Sequence, residues 1–274
     1  MQRVLILLFG IVAYLVFLPT FLYFIAFVGN LQTTALVEHI PALAWLVPYS
    51  VSFGRETGPV GLAVVINLSL IALFGVQHSV MARSGFKGWL KQMLPASAER
   101  SVYVLISSLL LILLFWQWRP MGPVIWSVES GTGQAVLWTL FAVGFGITFV
   151  STYLIDHFDL FGLKQIWSQF RGRKAQPPRF VTPLFYRVVR HPLYLGFLLA
   201  FWTVPHVTLG HVLFAGGMTV YILIGVQLEE RDLVRYLGED YQRYQKQVPQ
   251  LVPVPGRTWR DDETPEGSGA SGRA

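Results

Sequence analysis

The chain has 274 residues, 53% of them hydrophobic and 13% charged, with a net charge of +6, a mean hydropathy of +0.51 and no cysteine. A soluble domain carries about 25% charged residues, so this composition excludes an ordinary soluble globular protein and indicates a membrane protein. Disulfides, thiolate metal sites and cysteine nucleophiles are excluded. The basic residues cluster between apolar segments, which fits membrane topology and anionic headgroups and gives no reason to invoke nucleic acid.

A helical span needs about 20 mostly apolar residues. Residues 4–28 form the first such segment, too long and without a convincing small-residue cleavage site to be a secretory signal, so it reads as a retained anchor. Residues 60–74, extending to 80, then 102–118 and 135–155 give three more. Two shorter apolar segments follow, 193–204 and 212–228, joined by a turn at 205–211. The first of this pair is short for a span unless residues 185–189 add a preceding turn. Pro19 and the glycines within the spans are tolerated where neighbouring helices satisfy the backbone, and Gly216-Gly217 invites close helix approach.

Loop charge sets the orientation. The 79–101 loop carries Arg83, Lys87, Lys91 and Arg100 against Glu99 alone, and the 156–191 loop carries seven Lys and Arg against two Asp. The alternate loops are nearly free of Lys and Arg, so the positive-inside rule puts both basic loops and both termini in the cytoplasm. Trp116, Trp118, Trp126 and Trp138 fall near span ends, where aromatic belts are expected. After Leu228 the chain becomes amphipathic, with Leu233, Tyr241 and Tyr244 at helical spacing and Gly238 between, which predicts two short cytoplasmic helices with a bend. Prolines 249, 253 and 255 end that region, and a Gly/Ser-rich tail over 257–274 reads as disordered. The fold class is therefore all-α: a polytopic transmembrane bundle of about six spans with short C-terminal helices, in one domain over residues 1–256.

Ionisable residues at the membrane edge default to a functional hypothesis, because burying charge is costly. Arg190-His191-Pro192-x-Tyr194-x-Gly196 puts two cationic groups at a helix entrance, since proline suits the first helical turn. Such an entrance is a natural carboxylate site, and Gly196 leaves space one turn on for a flat or extended ligand. The competing reading is an interfacial anchor with Arg190 snorkelling to headgroups. Glu229-Glu230 stands at the far end of the hairpin, where carboxylates oppose the helix dipole. Adjacent helical residues point about 100° apart, so one of the two faces a ligand and the other Arg or water. A third group is Gln77-His78-Ser79-x-Met81-Ala82-Arg83, at the cytoplasmic end of the second span, where His78 also fits a purely structural bond between helices. In residues 156–165, Asp156 and His157 read as a polar cap over the cytoplasmic mouth; no second histidine has metal-ligand spacing, so no metal is expected.

The Arg190–Gly196 element, a second helix, then Glu229-Glu230 with Leu233, Gly238, Tyr241 and Tyr244 resembles the S-adenosylmethionine pocket of the isoprenylcysteine carboxyl methyltransferase superfamily, over residues 186–253. Along its length the chain is more similar to a bacterial branch of that superfamily. That similarity rests on the His78 element, residues 12–17, Glu99-Arg100-Ser101-x-Tyr103 and Phe115-Trp116-x-Trp118-Arg119-Pro120. The branch contains methanethiol S-methyltransferases and denitrification-associated membrane proteins. The resemblance implies that the last two spans form a cofactor-binding hairpin. Arg190 and His191 would meet the carboxylate end of S-adenosylmethionine, Gly196 would give it room, and Glu229 or Glu230 would hold its polar groups. Tyr194, Tyr241 and Tyr244 would line the pocket. It implies methylation of methanethiol to dimethyl sulfide in the bacterial inner membrane, on the cytoplasmic side. A thiolate is the competent nucleophile, which makes His78 the candidate base and Arg83 an electrostatic helper. Methylation of a lipid or of a larger thiol or carboxylate, and a non-enzymatic membrane protein binding haem or a partner, are the competing readings. Oligomeric state is open.

Overall fold

The computed structural model describes residues 1–56, 58–173 and 181–259. Lys174 and Arg179 of the second basic loop, and residues 260–274 of the expected disordered tail, lie outside them. The bundle is built from α1 (Gln2–Gly29), α2 (Val60–Ala82), the amphipathic α3 (Ser84–Met93), α4 (Glu99–Gln117), α5 (Gly131–Ile155), a short α6 (Leu163–Phe170), α7 (Pro192–Trp202), α8 (Leu209–Leu237) and α9 (Glu239–Gln247). Single helical turns at Leu36–His39, Leu43–Leu46 and His157–Leu160 connect them. Five helices, α1, α2, α4, α5 and α8, are long and apolar enough to cross a bilayer. The sixth apolar segment, α7, has only 11 residues, roughly 16 Å of helix against a hydrocarbon core of about 30 Å.

The all-α expectation has one small exception. The stretches expected to be plain loops at 119–133 and 205–211 contain strands β1 (Val124–Ser127) and β2 (His206–Thr208), which pair antiparallel with Val124 opposite Thr208 and Ser127 opposite His206. This pairing ties the C-terminal end of α7 to the segment that follows α4, so the two segments lie at the same end of the bundle.

The expected bend at Gly238 is present with helix on either side of it, but the first of the two helices is continuous with the last span. No glycine or proline interrupts residues 226–237, and α8 continues without a break through Glu229 and Glu230 to Leu237. The turn to α9 comes at Gly238, whose φ of 62° favours glycine. The two carboxylates thus lie two turns before the helix end, and the helix-dipole reasoning does not apply to them.

The core is aromatic: Phe24 and Phe27 of α1, Phe115 of α4, Phe201 of α7 and Phe214 of α8 pack together with Trp118. Leu5, Leu8, Leu15, Val65, Val76 and Ile224 face outward, as a lipid-facing surface requires. Gly217 meets Ile71 of α2, where a Cβ would lie 2.8 Å from Cδ1, while Gly216 faces open space. The backbones of α5 and α7 also approach closely: a Cβ on Gly144 would lie 2.7 Å from the Gly196 carbonyl oxygen.

Candidate active site

Pro192 starts α7 at its first turn, which leaves Arg190 and His191 at the helix entrance. Their backbone N–H groups are not free for a ligand; they donate to the carbonyls of Pro249 and Gln250 at 2.9 and 3.1 Å. The Arg190 guanidinium is also engaged throughout. Its Nε and Nη2 donate to Glu230 at 2.6 and 3.1 Å, and Nη1 donates to the carbonyls of Gln245 and Val248. His191 Nε2 donates to Glu230 Oε1 at 3.0 Å, and Gln245 Nε2 donates to Oε2 at 3.0 Å. Arg190 and Glu230 are each only 9% exposed. In such a buried network each charge depends on its partners for the solvation it has lost.

The neighbouring carboxylate behaves differently. Glu229 points about 100° away around the helix, is 42% exposed, accepts a hydrogen bond from the Tyr194 hydroxyl at 2.9 Å and lies 3.9 Å from His191 Nδ1. Of the two, Glu230 is buried within the network and Glu229 is the more exposed.

Gly196 does not open space for a ligand. A Cβ there would lie 2.5 Å from the Gly144 carbonyl oxygen and 2.5 Å from Thr148 Oγ1, so its missing side chain admits α5. Tyr241 and Tyr244 of α9 are buried at 2% exposure and pack with each other and Val248, flanked by Leu233 and Trp259. The Tyr244 hydroxyl donates to the Tyr186 carbonyl. Burial pushes the phenols of Tyr186, Tyr241 and Tyr244 well above the ordinary tyrosine range, so they remain neutral. They fasten the C-terminal segment beneath the Arg190–Glu230 network.

A cavity of about 330 Å³ lies inside the bundle, among α1, α2, α4, α5, α7 and α8. Of the residues singled out in the sequence for catalysis or cofactor binding, His78 and Tyr194 line it. His78 Nδ1 is 3.1 Å from Ser107 Oγ, and the ring packs against Phe74 and Tyr103 at centroid distances of 5.2 and 4.7 Å. Its Nε2 has no protein hydrogen-bond partner among the described residues. Arg83 is turned the other way: its Nη1 donates to Asp232 Oδ2 at 2.6 Å and to the Leu228 carbonyl at 3.2 Å. It ties α2 to α8.

Sequence reasoning missed Tyr103, Ser107 and Tyr221, which line the cavity beside His78. Tyr103 belongs to a stretch that carried the family resemblance; Tyr221 has no signal beyond being a tyrosine in an apolar span. His157, read from the sequence as part of a polar cap, is 4% exposed and lines the cavity. Thr152 donates to the Phe149 carbonyl at 2.7 Å, so His157 Nδ1–H donates to Thr152 Oγ1 at 2.8 Å, leaving Nε2 to accept from the Tyr14 hydroxyl at 2.8 Å. Salt bridges from Lys164 to Asp156 and from Arg100 to Asp159 hold this segment at the bundle end. Among the described residues no three His, Cys, Asp or Glu side chains cluster as metal ligands would.

Taken together, an apolar helix bundle with a half-open carboxylate beside an aromatic cavity containing histidine defines an integral membrane protein with an internal cavity. Residues 67–258 match the family described as NnrU protein. Methanethiol S-methyltransferase of Mycobacterium tuberculosis is 46% identical over 257 residues, covering 94% of this chain and 99% of the relative. Methanethiol S-methyltransferase 1 of Bradyrhizobium diazoefficiens is 49% identical over 246 residues, covering 90% and 81%. Nurim of Mus musculus is 31% identical over 186 residues, covering 65% and 70%. No solved structure matches. The chain belongs to the NnrU family, alongside the methanethiol S-methyltransferases.

Proposed function

We propose that this protein methylates methanethiol with S-adenosylmethionine, giving dimethyl sulfide and S-adenosylhomocysteine, in the bacterial inner membrane with the site open to the cytoplasm. The observation that carries the reading is His78, held through Nδ1 by Ser107 with Nε2 unpartnered, on the wall of a largely apolar cavity that it shares with Tyr194. The two methanethiol S-methyltransferases described above, similar over nearly the whole chain, support the same substrate.

The residues fit the cofactor's chemistry. A sulfonium cation is accommodated by aromatic faces and a nearby carboxylate, and Tyr194 with Glu229 supplies both. When bound, the cofactor supplies the methyl group as an electrophile. Glu229 and Tyr194 hold its cationic portion, while Glu230, Arg190 and His191 act as positioning residues that fix the entrance of α7. Tyr241 and Tyr244 hold the C-terminal segment against that entrance, and Gly196 sets the α5–α7 spacing. His78 accepts the thiol proton at Nε2, with Ser107 orienting the ring, so that the thiolate forms only inside the cavity. The phenylalanine lining keeps water out and restricts the orientation of the reacting groups. Arg83 positions α2 against α8.

Haem ligation by paired histidines is less well supported. His78 and His157 do line one cavity, but both ring nitrogens of His157 are engaged and His191 points to Glu230. Membranes containing the protein, incubated with S-adenosylmethionine and methanethiol, are expected to release dimethyl sulfide into the headspace with equimolar S-adenosylhomocysteine. Absence of both products from membranes holding folded protein overturns the proposal, and a Soret band in the purified protein would point to haem.

A further inference from the structure

Methanethiol has two heavy atoms, yet the cavity that His78 faces has a volume of about 330 Å³. An apolar protein cavity of about 150 Å³ is enough to hold benzene. The shape makes the excess more specific. Tyr103 and Tyr194 mark the level of His78 and Glu229, but the lining continues to Leu111 on α4 and Phe201 on α7. Each lies about two helical turns further into the membrane, roughly 10 Å deeper. Phe24 and Met218 line the cavity as well, so its deeper part is apolar. A slot of this depth is not explained by a substrate with a single carbon. It is the shape that would receive an alkyl chain or an aromatic ring attached to the reacting sulfur.

Resting on the proposed methyl transfer, we infer that the substrate class of this site is apolar thiols in general, extending to 1-butanethiol and benzenethiol, with the hydrocarbon part directed along the phenylalanine slot. The chemistry is the same: the thiol S–H bond breaks with the proton taken up by His78, a new S–CH3 bond forms, and the bond from methyl to the sulfonium breaks. The products are the alkyl or aryl methyl sulfide and S-adenosylhomocysteine. Burial of the added methylenes offsets the loss of mobility of a longer substrate. A hydroxyl in the slot would give up its water without a dedicated partner, so a polar thiol of equal size is disfavoured.

The test is a thiol series on one preparation of the wild-type protein in its membrane, with S-adenosylmethionine: methanethiol, 1-propanethiol, 1-butanethiol, benzenethiol and 2-mercaptoethanol. The expected result is kcat/KM for butanethiol and benzenethiol within tenfold of methanethiol, and 2-mercaptoethanol at least tenfold below its size match, 1-propanethiol. Methylation of methanethiol with butanethiol and benzenethiol both more than a hundredfold slower overturns the inference and leaves the proposed function standing. No methylation of any thiol overturns the proposed function itself. Leu111→Trp, which fills the deep end, is expected to lower the ratio of butanethiol to methanethiol turnover at least tenfold. Because it is a ratio within one sample, it does not depend on how much protein folds, and Met218→Phe reads the same slot from α8. An unchanged ratio in both variants places the longer thiols elsewhere and overturns the inference.

Discussion

Glu229 and Glu230 are neighbours in sequence with different surroundings, and replacing each separates two functions. Glu230→Ala removes the acceptor for Arg190 Nε and Nη2, His191 Nε2 and Gln245 Nε2. The Arg190 side chain is 9% exposed, so its charge would remain buried with only two backbone carbonyls as partners. Removing one member of a buried ion pair costs about 3–5 kcal/mol, equivalent to roughly 6–20 °C in melting temperature for a chain of this size. Glu229→Gln keeps a carbonyl to accept the Tyr194 hydroxyl and removes a charge that is 42% exposed. Its stability should stay within about 1 kcal/mol of wild type, whereas losing a charge-assisted contact weakens cofactor binding by about 1.5–3 kcal/mol, roughly 10- to 150-fold. Thermal unfolding in detergent and calorimetric titration with S-adenosylmethionine measure the two effects. An unaltered melting temperature in Glu230→Ala, or unaltered affinity in Glu229→Gln, would refute the division of roles.

Reporter fusions after Arg173 and within residues 29–59 should report opposite sides of the membrane, since the former lies in a basic loop and the latter does not; the same side for both would exclude the six-crossing arrangement. His78→Ala should lower methanethiol turnover by about 10²- to 10⁴-fold with cofactor affinity preserved, and a His78→Gln variant with full activity across the pH range would remove the general-base role. Gly196→Ala places a methyl 2.5 Å from the Gly144 carbonyl and should destabilise the bundle by about 1–3 kcal/mol, seen as a lower melting temperature; a neutral outcome would show that the α5–α7 approach is looser. Burial pushes His157 below its ordinary pKa of 6.5, so the unfolded chain protonates first. Its contribution is full above about pH 6.5 and is lost as pH falls below that value toward the folded pKa; an acid limb of stability as steep in His157→Gln as in wild type would contradict this.

The spans were legible because a bilayer demands long apolar runs, and apart from the C-terminal end of α8 the helices begin and end within a few residues of those runs. Arg190, His191 and the two glutamates were legible as a group because charge at a membrane edge needs a reason. Their internal pairing was not, because the tertiary fold decides which carboxylate turns inward. Gly196 shows the same limit: a missing side chain signals close approach but does not say whether a ligand or a helix approaches. The continuity of α8 past Leu228 was hidden for another reason. Hydropathy falls there, but hydropathy reports the solvent and not the backbone, and a polar helix can continue into water until a residue such as Gly238 stops it. The β1–β2 pair and the buried setting of His157 both depend on contacts between distant segments, which local pattern does not record.

The continuity of α8 bears directly on how the site works. Met218, Tyr221 and Ile222 line the cavity, and Glu229 and Glu230 follow on the same unbroken helix. A break at Leu228 would put Glu229 and Glu230 on one piece and the helical residues that line the cavity on another. A single rod instead fixes the distance between them, roughly 12 Å from Tyr221 to Glu229. Arg83 holds that rod to α2 through Asp232 and the Leu228 carbonyl, and Arg190 holds it to the start of α7 through Glu230. Both ties flank Glu229. For the displacement proposed above, which depends on aligning donor, methyl and sulfur to well under 1 Å, ion bridges on either side of Glu229 would account for charges kept at a place where each one is costly.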